Sequence, residues 1–335
     1  MDISFLKKIL HNPAIYPDHP VEVHFSETHI SLLFFTGKHV YKIKKPMNFG
    51  FLDFTTLEKR KYFCEQEVTL NRRLSPEIYL GVTKVTEEGG QIALNGRGRT
   101  IEYAVWMKQI PEELLMDQLL RKGRVTPEMI QRVSEKLVHF YSIADTNEVI
   151  QGFARPGRVK QDTDENFEQT ERYIDRVLSR DVYEWIKERT NRFLKNREEL
   201  FERRIAEGRI RDCHGDLRLE HIFWGEDISI FDCIEFNERF RYTDVAADIA
   251  FLAMDIDYQG REDLNPYLIN TYIEGSGDLD LPEILDFYKC YRAYVRGKVE
   301  SFRLDDPTIA EEEKQNALKR AQKYFDLAHR YSQRF

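Results

Sequence analysis

The sequence predicts an α+β chain in two parts. An antiparallel sheet with one helix spans about 1–106, a short connection spans 107–110, and a mostly helical part spans 111–335. Three observations carry this prediction. "VEVHFSETHISLLFFTGKHVYKIKK" (21–45) alternates apolar and polar residues and is rich in Val, Ile, Phe and Tyr. From Pro111 apolar residues recur at helical spacing. Residues 209–240 return to short strand-like runs before the helical pattern resumes at Thr243.

Taken in order, residues 21–45 give two or three strands with a turn at Thr36–Gly37. "TTLEKRKYFCEQEVTLNRRLS" gives a helix capped by Thr55 or Thr56, with Leu57, Tyr62, Val68, Leu70 and Leu74 as its apolar face. "IYLGVTKV", "QIALNG" and "TIEYAVWMKQI" give further strands, with turns at Gly89–Gly90 and Asn95–Gly96. "PEELLMDQLLRKG" and "TPEMIQRVSEKLVHFYSIAD" follow as helices, the second opened by Thr126 and Pro127. Residues 146–163 lack periodicity and read as a loop, and two helices are expected within 164–207. A long helix starts near Leu281–Pro282.

Composition narrows the function. The 335 residues are 41% hydrophobic and 32% charged, enough to build a large core. A net charge of −8 argues against nucleic acid or an anionic membrane as partner. Cys64, Cys213, Cys233 and Cys290 form no CxxC pair, so a disulfide scaffold is not indicated. The first twenty residues hold too short an apolar stretch for a signal peptide, and no run of apolar residues reaches transmembrane length. A soluble cytoplasmic protein, monomer or homodimer, is the expectation.

The chemistry concentrates in "CHGDLRLEHI" (213–222) and "IFDCIEF" (230–236). Asp216 follows His214–Gly215, where glycine lets the backbone bend. Asp232 follows the apolar run "ISIF", which delivers its carboxylate at a strand end. Phosphoryl transfer needs this inventory: a carboxylate for the acceptor hydroxyl, acids for Mg²⁺ and a lysine for the nucleotide phosphates. "HVYKIKKP" supplies Lys42 and Lys44 on one strand face, since residues two apart point the same way.

"HGDLRLEHI" resembles the HGDxxxxN loop of the aminoglycoside phosphotransferase and choline kinase families. The resemblance runs on through "IFDCIEFNERFRYTDVAADIAFL", similar to the family's metal aspartate and GDPxxDLA segment. With "VYKIKKP", "FGFLDF" and "NRRLSPEIYLGV" it covers nearly the whole chain and is similar to a less characterised bacterial branch of unknown substrate. The resemblance implies a two-lobed protein-kinase-like fold with ATP and Mg²⁺ between the lobes, and with GTP and Mn²⁺ as alternatives. It implies Asp216 as catalytic base, Asp232 as metal ligand, and Asp244 and Asp248 as braces of the catalytic loop. His214 becomes a scaffold residue. Lys42, ahead of Lys44, contacts the phosphates; Glu67, ahead of Glu65, holds that lysine. Trp106, Met107 and Gln109 lie in the segment that meets adenine. The acceptor is a small-molecule hydroxyl.

Two positions depart from the family. His221 stands where the family has a metal-binding Asn, with Glu220 and Glu235 as nearby acids. No glycine loop precedes Lys42; the hydroxyls of Ser26, Thr28 and Ser31 occupy that stretch. These departures support the alternative of a catalytically dead nucleotide-binding or scaffold protein. A zinc site from Cys213, His214, His221 and Cys233 lacks CxxC or HxxxH spacing. A protein kinase is disfavoured because Cys233–Ile234, not Phe–Gly, follows Asp232. Arg292 and Arg296 share a helix face near Lys298; ion pairing is slightly favoured over lining a pocket for an anionic acceptor.

Overall fold

The computed structural model describes residues 3–335. In chain order it contains α1 (Ile3–Leu10), β1 (His24–Glu27), β2 (Ser31–Phe35), β3 (His39–Lys44), α2 (Leu57–Asn71), β4 (Tyr79–Glu88), β5 (Gln91–Leu94) and β6 (Arg99–Lys108). Then come α3 (Met116–Arg121), α4 (Pro127–Ile143), α5 (Glu148–Gly152), α6 (Pro156–Thr170), α7 (Arg180–Asn196), α8 (Glu198–Ala206), β7 (Ile210–Asp212), β8 (Ile222–Trp224) and β9 (Ile228–Ile230). The chain closes with α9 (Glu238–Arg241), β10 (Tyr242–Asp244), α10 (Val245–Tyr258), α11 (Asn265–Ser276), α12 (Leu281–Phe302) and α13 (Glu311–Ser332). Compactness divides it into a sheet unit, up to Gln118 together with Glu220–Glu238, and a helical unit, Leu119–Leu219 together with Arg239–Phe335.

In the sheet unit six antiparallel strands run in the order β1-β2-β3-β6-β4-β5. Alternation along β3 sorts its side chains. Tyr41 and Ile43 join Leu6, Leu10 and Phe34 in one core, while Val40 joins Cys64, Val68, Tyr79 and Val105 in another. Lys42 and Lys44 share the second face with Val40 and therefore point toward α2.

Thr56 caps α2 by accepting from Lys59 N, and of the expected face Val68, Leu70 and Leu74 are buried while Leu57 is half-buried. Tyr62 is exposed, and the buried positions are Arg60, Cys64, Glu67, Val68, Leu70 and Asn71. A face that carries Arg60, Glu67 and Asn71 gives no clean apolar stripe. Helix α1 also lies outside the one-helix expectation. Eight residues are too few for intrinsic stability, so burial of Leu6 and Leu10 must supply it.

The β8–β9 hairpin and its continuation fasten to the same unit. Ser75 Oγ donates to Ile230 O at 2.6 Å, and Asn71 Oδ1 accepts from Cys233 N at 2.8 Å.

The helical unit packs α6, α7, α10, α12 and α13 around Phe167, Tyr183, Phe251, Met254, Tyr294 and Phe325. Residues 146–163 form α5 and most of α6 rather than a loop. Asn147 caps α5, Pro156 opens α6, and Val159, Thr163 and Phe167 line up four apart on the buried side. The charged and polar residues of "KQDTDENFEQT" hid that stripe from the hydrophobic pattern. Arg204 on α8 is fully buried and donates to both oxygens of Asp244 and both of Asp278, at 2.6–2.8 Å. Among the described residues no helix is long and apolar enough to cross a membrane.

Candidate active site

The sheet unit brings Lys42, Lys44, Glu67, Asp232 and Glu235 into one ionic network. Lys42 Nζ lies 2.8 Å from Glu67 Oε1 and donates to Asp232 Oδ1 at 2.7 Å. Lys44 Nζ donates to Glu67 Oε2 at 2.7 Å and also pairs with Glu235. Glu67 is fully buried and spends one oxygen on each lysine. Burial alone would lower the Lys42 pKa, yet Asp232 and Glu67 outweigh it and hold the ammonium well above its usual range. Burial would likewise lift Glu67, but the two lysines pull it below the ordinary carboxylate value. Glu235, with one close lysine, stays above that value because burial wins.

The two lysines are separated by access rather than by partner. Lys44 has a fully buried side chain, whereas that of Lys42 is 13% exposed and its partner Asp232 is 43% exposed. Lys42 is therefore the lysine with a path to a soluble ligand.

Asp232 sits in the left-handed region, at φ +61°, which costs energy for a residue other than glycine. Two hydrogen bonds fix it there. Tyr79 Oη accepts from Asp232 N at 3.2 Å, and Asn71 Oδ1 accepts from the next amide. Its Oδ2 lies 3.7 Å from His221 Nε2, which in turn is 3.9 Å from Glu220 Oε1. One carboxylate and one imidazole suit a divalent ion that keeps most of its shell as water and phosphate oxygens. Among the described residues no group of three or more His, Cys, Asp and Glu is arranged to hold a metal.

Asp216 belongs to the helical unit, in the loop after β7. Asp248 braces that loop: its Oδ2 accepts from His214 N at 2.7 Å and its Oδ1 from Gly215 N at 3.0 Å. His214 is buried, and its Nδ1 accepts from Asp216 N at 3.3 Å. Asp244 acts elsewhere. It caps α10 through Ala246 N and pairs with Arg204, so its brace is on the helix start. One contact had no sequence signal: Arg218 donates Nε to Asp216 Oδ1 at 3.0 Å and Nη2 to Asp216 Oδ2 at 2.9 Å.

Trp106 and Met107 lie on β6, between β3 and β4. The amides of Lys108 and Gln109 donate to Ile78 O and Lys38 O, each at 2.8 Å, and Gln109 Oε1 accepts from Gly37 N. Of the three hydroxyls ahead of Lys42, Ser31 is buried and Thr28 Oγ1 accepts from Ser31 N inside its turn; Ser26 is exposed.

Arg292 donates to Ala247 O and Gly215 O, both at 3.1 Å, and Arg296 pairs with Glu300. Arg292 also borders an open hollow of about 470 Å³ with Asp162, Arg239, Tyr242 and Tyr291. Lys298 donates to Asn166 Oδ1 at 2.6 Å and Gln169 Oε1 at 2.8 Å. Burial pulls its ammonium down to about 8, more than Glu165 restores. The unfolded chain, with an ordinary lysine, then binds more protons above that value, so folding stability rises with pH between about 8 and 10.4. Urea midpoints should show wild type gaining on Lys298→Met across that window; a constant difference would refute the shift.

A sheet unit that ties a strand lysine to a helix glutamate and a strand-end aspartate, and a helical unit carrying an HGD loop, are in keeping with a kinase-like fold. The chain belongs to the phosphotransferase enzyme family, whose model matches residues 70–288. Uncharacterised proteins of Mycobacterium bovis and Mycobacterium tuberculosis are 34% identical over 290 residues, which is 85% of this chain. The chain spans 57% of the length of these curated relatives. A choline/ethanolamine kinase family protein from Mesorhizobium loti matches with a TM-score of 0.52 over 98% of this chain and 99% of its own. A Ralstonia eutropha protein assigned as an aminoglycoside phosphotransferase matches at 0.53 over 99% and 97%. Both are 11% identical and establish the fold.

Proposed function

We propose that the chain is an ATP-dependent kinase that transfers the γ-phosphate to the hydroxyl of a small molecule. The observation that carries this is Lys42 joined to both Glu67 and Asp232 through links 25 and 190 residues long in sequence, an arrangement with no need in a purely structural strand.

In this reading Glu67 orients Lys42 toward the α- and β-phosphates, with Lys44 behind it as its support. Backbone groups of the Trp106–Gln109 stretch contact adenine in this reading, although the amides of Lys108 and Gln109 are already bonded to Ile78 O and Lys38 O. Asp232, with His221 beside it, would hold Mg²⁺ or Mn²⁺. The ion, when bound, neutralises charge on the phosphate oxygens. Asp216 accepts the proton of the acceptor hydroxyl. The acceptor oxygen forms a bond to the γ-phosphorus, the bond from that phosphorus to the β,γ-bridging oxygen breaks, and ADP leaves with that oxygen.

A second reading, a nucleotide-binding protein without turnover, draws on one specific contact, because Arg218 engages both oxygens of Asp216. Thermal shift with ATP and ADP, with and without Mg²⁺, followed by turnover on a panel of hydroxyl metabolites, separates the two. The kinase reading expects metal-dependent nucleotide binding and acceptor-dependent ADP release. No nucleotide binding would sink both readings; binding without release across the panel would favour the second.

A further inference from the structure

We propose that Lys44 and Glu235 form a fixed ionic latch that keeps Asp232 placed for a divalent cation when Lys42 leaves it for nucleotide phosphates. Both act as positioning residues. The proposal deepens the phosphotransferase reading and rests on it.

Strand β3 reaches the segment after β9 through two parallel bridges. Lys42 joins Glu67 to Asp232, and Lys44 joins Glu67 to Glu235. The bridges differ in their exposure to competition. The Lys42 ammonium would share the Asp232 carboxylate with a like-charged cation, so this bridge weakens when the ion binds. Nucleotide phosphates draw Lys42 away in the same direction. The second bridge is shut off from such exchange, because the Lys44 side chain is fully buried and that of Glu235 is 5% exposed.

A structural lock alone gives no reason for this pair. Taking two charges out of water costs more than filling the same space with apolar residues. What the pair adds is direction. The Lys44 ammonium meets carboxylates from two elements, Glu67 on α2 and Glu235 beyond β9, and lies 4.9 Å from the centre of the Phe54 ring. Its position is thereby fixed from three sides, and it fixes Glu235 in turn.

The segment under this latch is one that must be held. Asp232 keeps a left-handed backbone at φ +61°, a conformation that persists only where its surroundings enforce it. Ser75 Oγ at Ile230 O, Tyr79 Oη at Asp232 N and Asn71 Oδ1 at Cys233 N constrain the chain up to Cys233. Glu235 adds a side-chain anchor beyond that point. With the backbone held on both sides, the Asp232 carboxylate can change partners without the chain following.

The test separates placement from charge and from stability. Calorimetry on the full chain would compare AMP-PNP affinity in Mg²⁺ and in EDTA, and electron paramagnetic resonance would read Mn²⁺ binding to the AMP-PNP complex. The variants are Glu235→Asp, Glu235→Gln, Lys44→Met and the double variant Lys44→Met/Glu235→Met. All four should lose metal affinity by about 10–100-fold, the usual worth of a residue that supports a metal ligand. AMP-PNP affinity in EDTA should fall far less. Glu235→Asp keeps the charge and shortens the reach, so its loss is the most direct sign of placement. The double variant removes both buried charges together and should melt close to wild type, yet still bind metal weakly. Where Lys44→Met does not fold, Glu235→Asp and the double variant decide.

Three outcomes overturn the proposal. If charge alone matters, Lys44→Met tightens Mn²⁺, Glu235→Gln loosens it and Glu235→Asp leaves it unchanged. If the pair is only structural, melting temperatures fall while the folded variants bind Mn²⁺ as wild type does. The third is wild-type AMP-PNP binding that is indifferent to metal. Failure of the phosphotransferase reading looks different, since wild type itself then binds no nucleotide.

Discussion

Asp216→Asn should cut hydroxyl phosphorylation by about 10²–10⁴-fold, the usual worth of a positioned general base, while leaving nucleotide binding in place. The amide keeps the size of the carboxylate but cannot take up the acceptor proton. The loop around it should survive, because Asp248, Arg292 and Asp255 hold its backbone independently of residue 216. ADP release across a metabolite panel measures the effect, with melting temperature as the control. Equal activity in wild type and variant would remove Asp216 from the mechanism.

Glu67→Ala is expected to be the most damaging single change in the sheet unit. It strips one partner from each of two lysines, and Lys44 has no access to water that could replace it. Breaking a buried pair commonly costs about 3–5 kcal/mol. Each lysine retains a second carboxylate, Asp232 or Glu235, so the lower end applies. A loss of about 3 kcal/mol corresponds to a fall in Tm of roughly 6–12 °C for a unit of this size. Glu67→Gln, which keeps the shape and removes the charge, should fall between. Calorimetric scans of the three proteins test the order, and a variant as stable as wild type would show that the network contributes nothing net.

The sheet unit was largely legible because its strands alternate cleanly and its turns carry glycine where φ is positive, as at Gly37 and Gly90. The lysine strand and its glutamate could be found because residues two apart share a strand face and the helix glutamate has a sequence context. What stayed hidden is polar burial. The inward face of α2 adds Arg60, Glu67 and Asn71 to Val68 and Leu70, and α6 hides its buried side among charged residues, so hydrophobic periodicity found only the apolar part of the first and missed the second. The Arg218 clamp left no trace because a two-residue spacing in an irregular loop has no preferred direction. The division of labour between Asp244 and Asp248 was equally invisible, since it depends on Arg204, forty residues upstream of Asp244.

The sheet unit is assembled from two stretches of chain that are about a hundred residues apart. Synthesis from the N-terminus therefore delivers six strands and α2 long before the β8–β9 hairpin exists. Until residue 235 has emerged, Lys44 lacks Glu235, Lys42 lacks Asp232, and Ser75 has no Ile230 carbonyl to bond. The early product is a sheet with two cations facing one carboxylate. Folding of this unit waits on loop closure across the intervening helices, a slow and non-local step. A nascent chain stalled before the hairpin should thus remain protease-sensitive throughout its sheet, and become resistant only once the downstream strand pair is added.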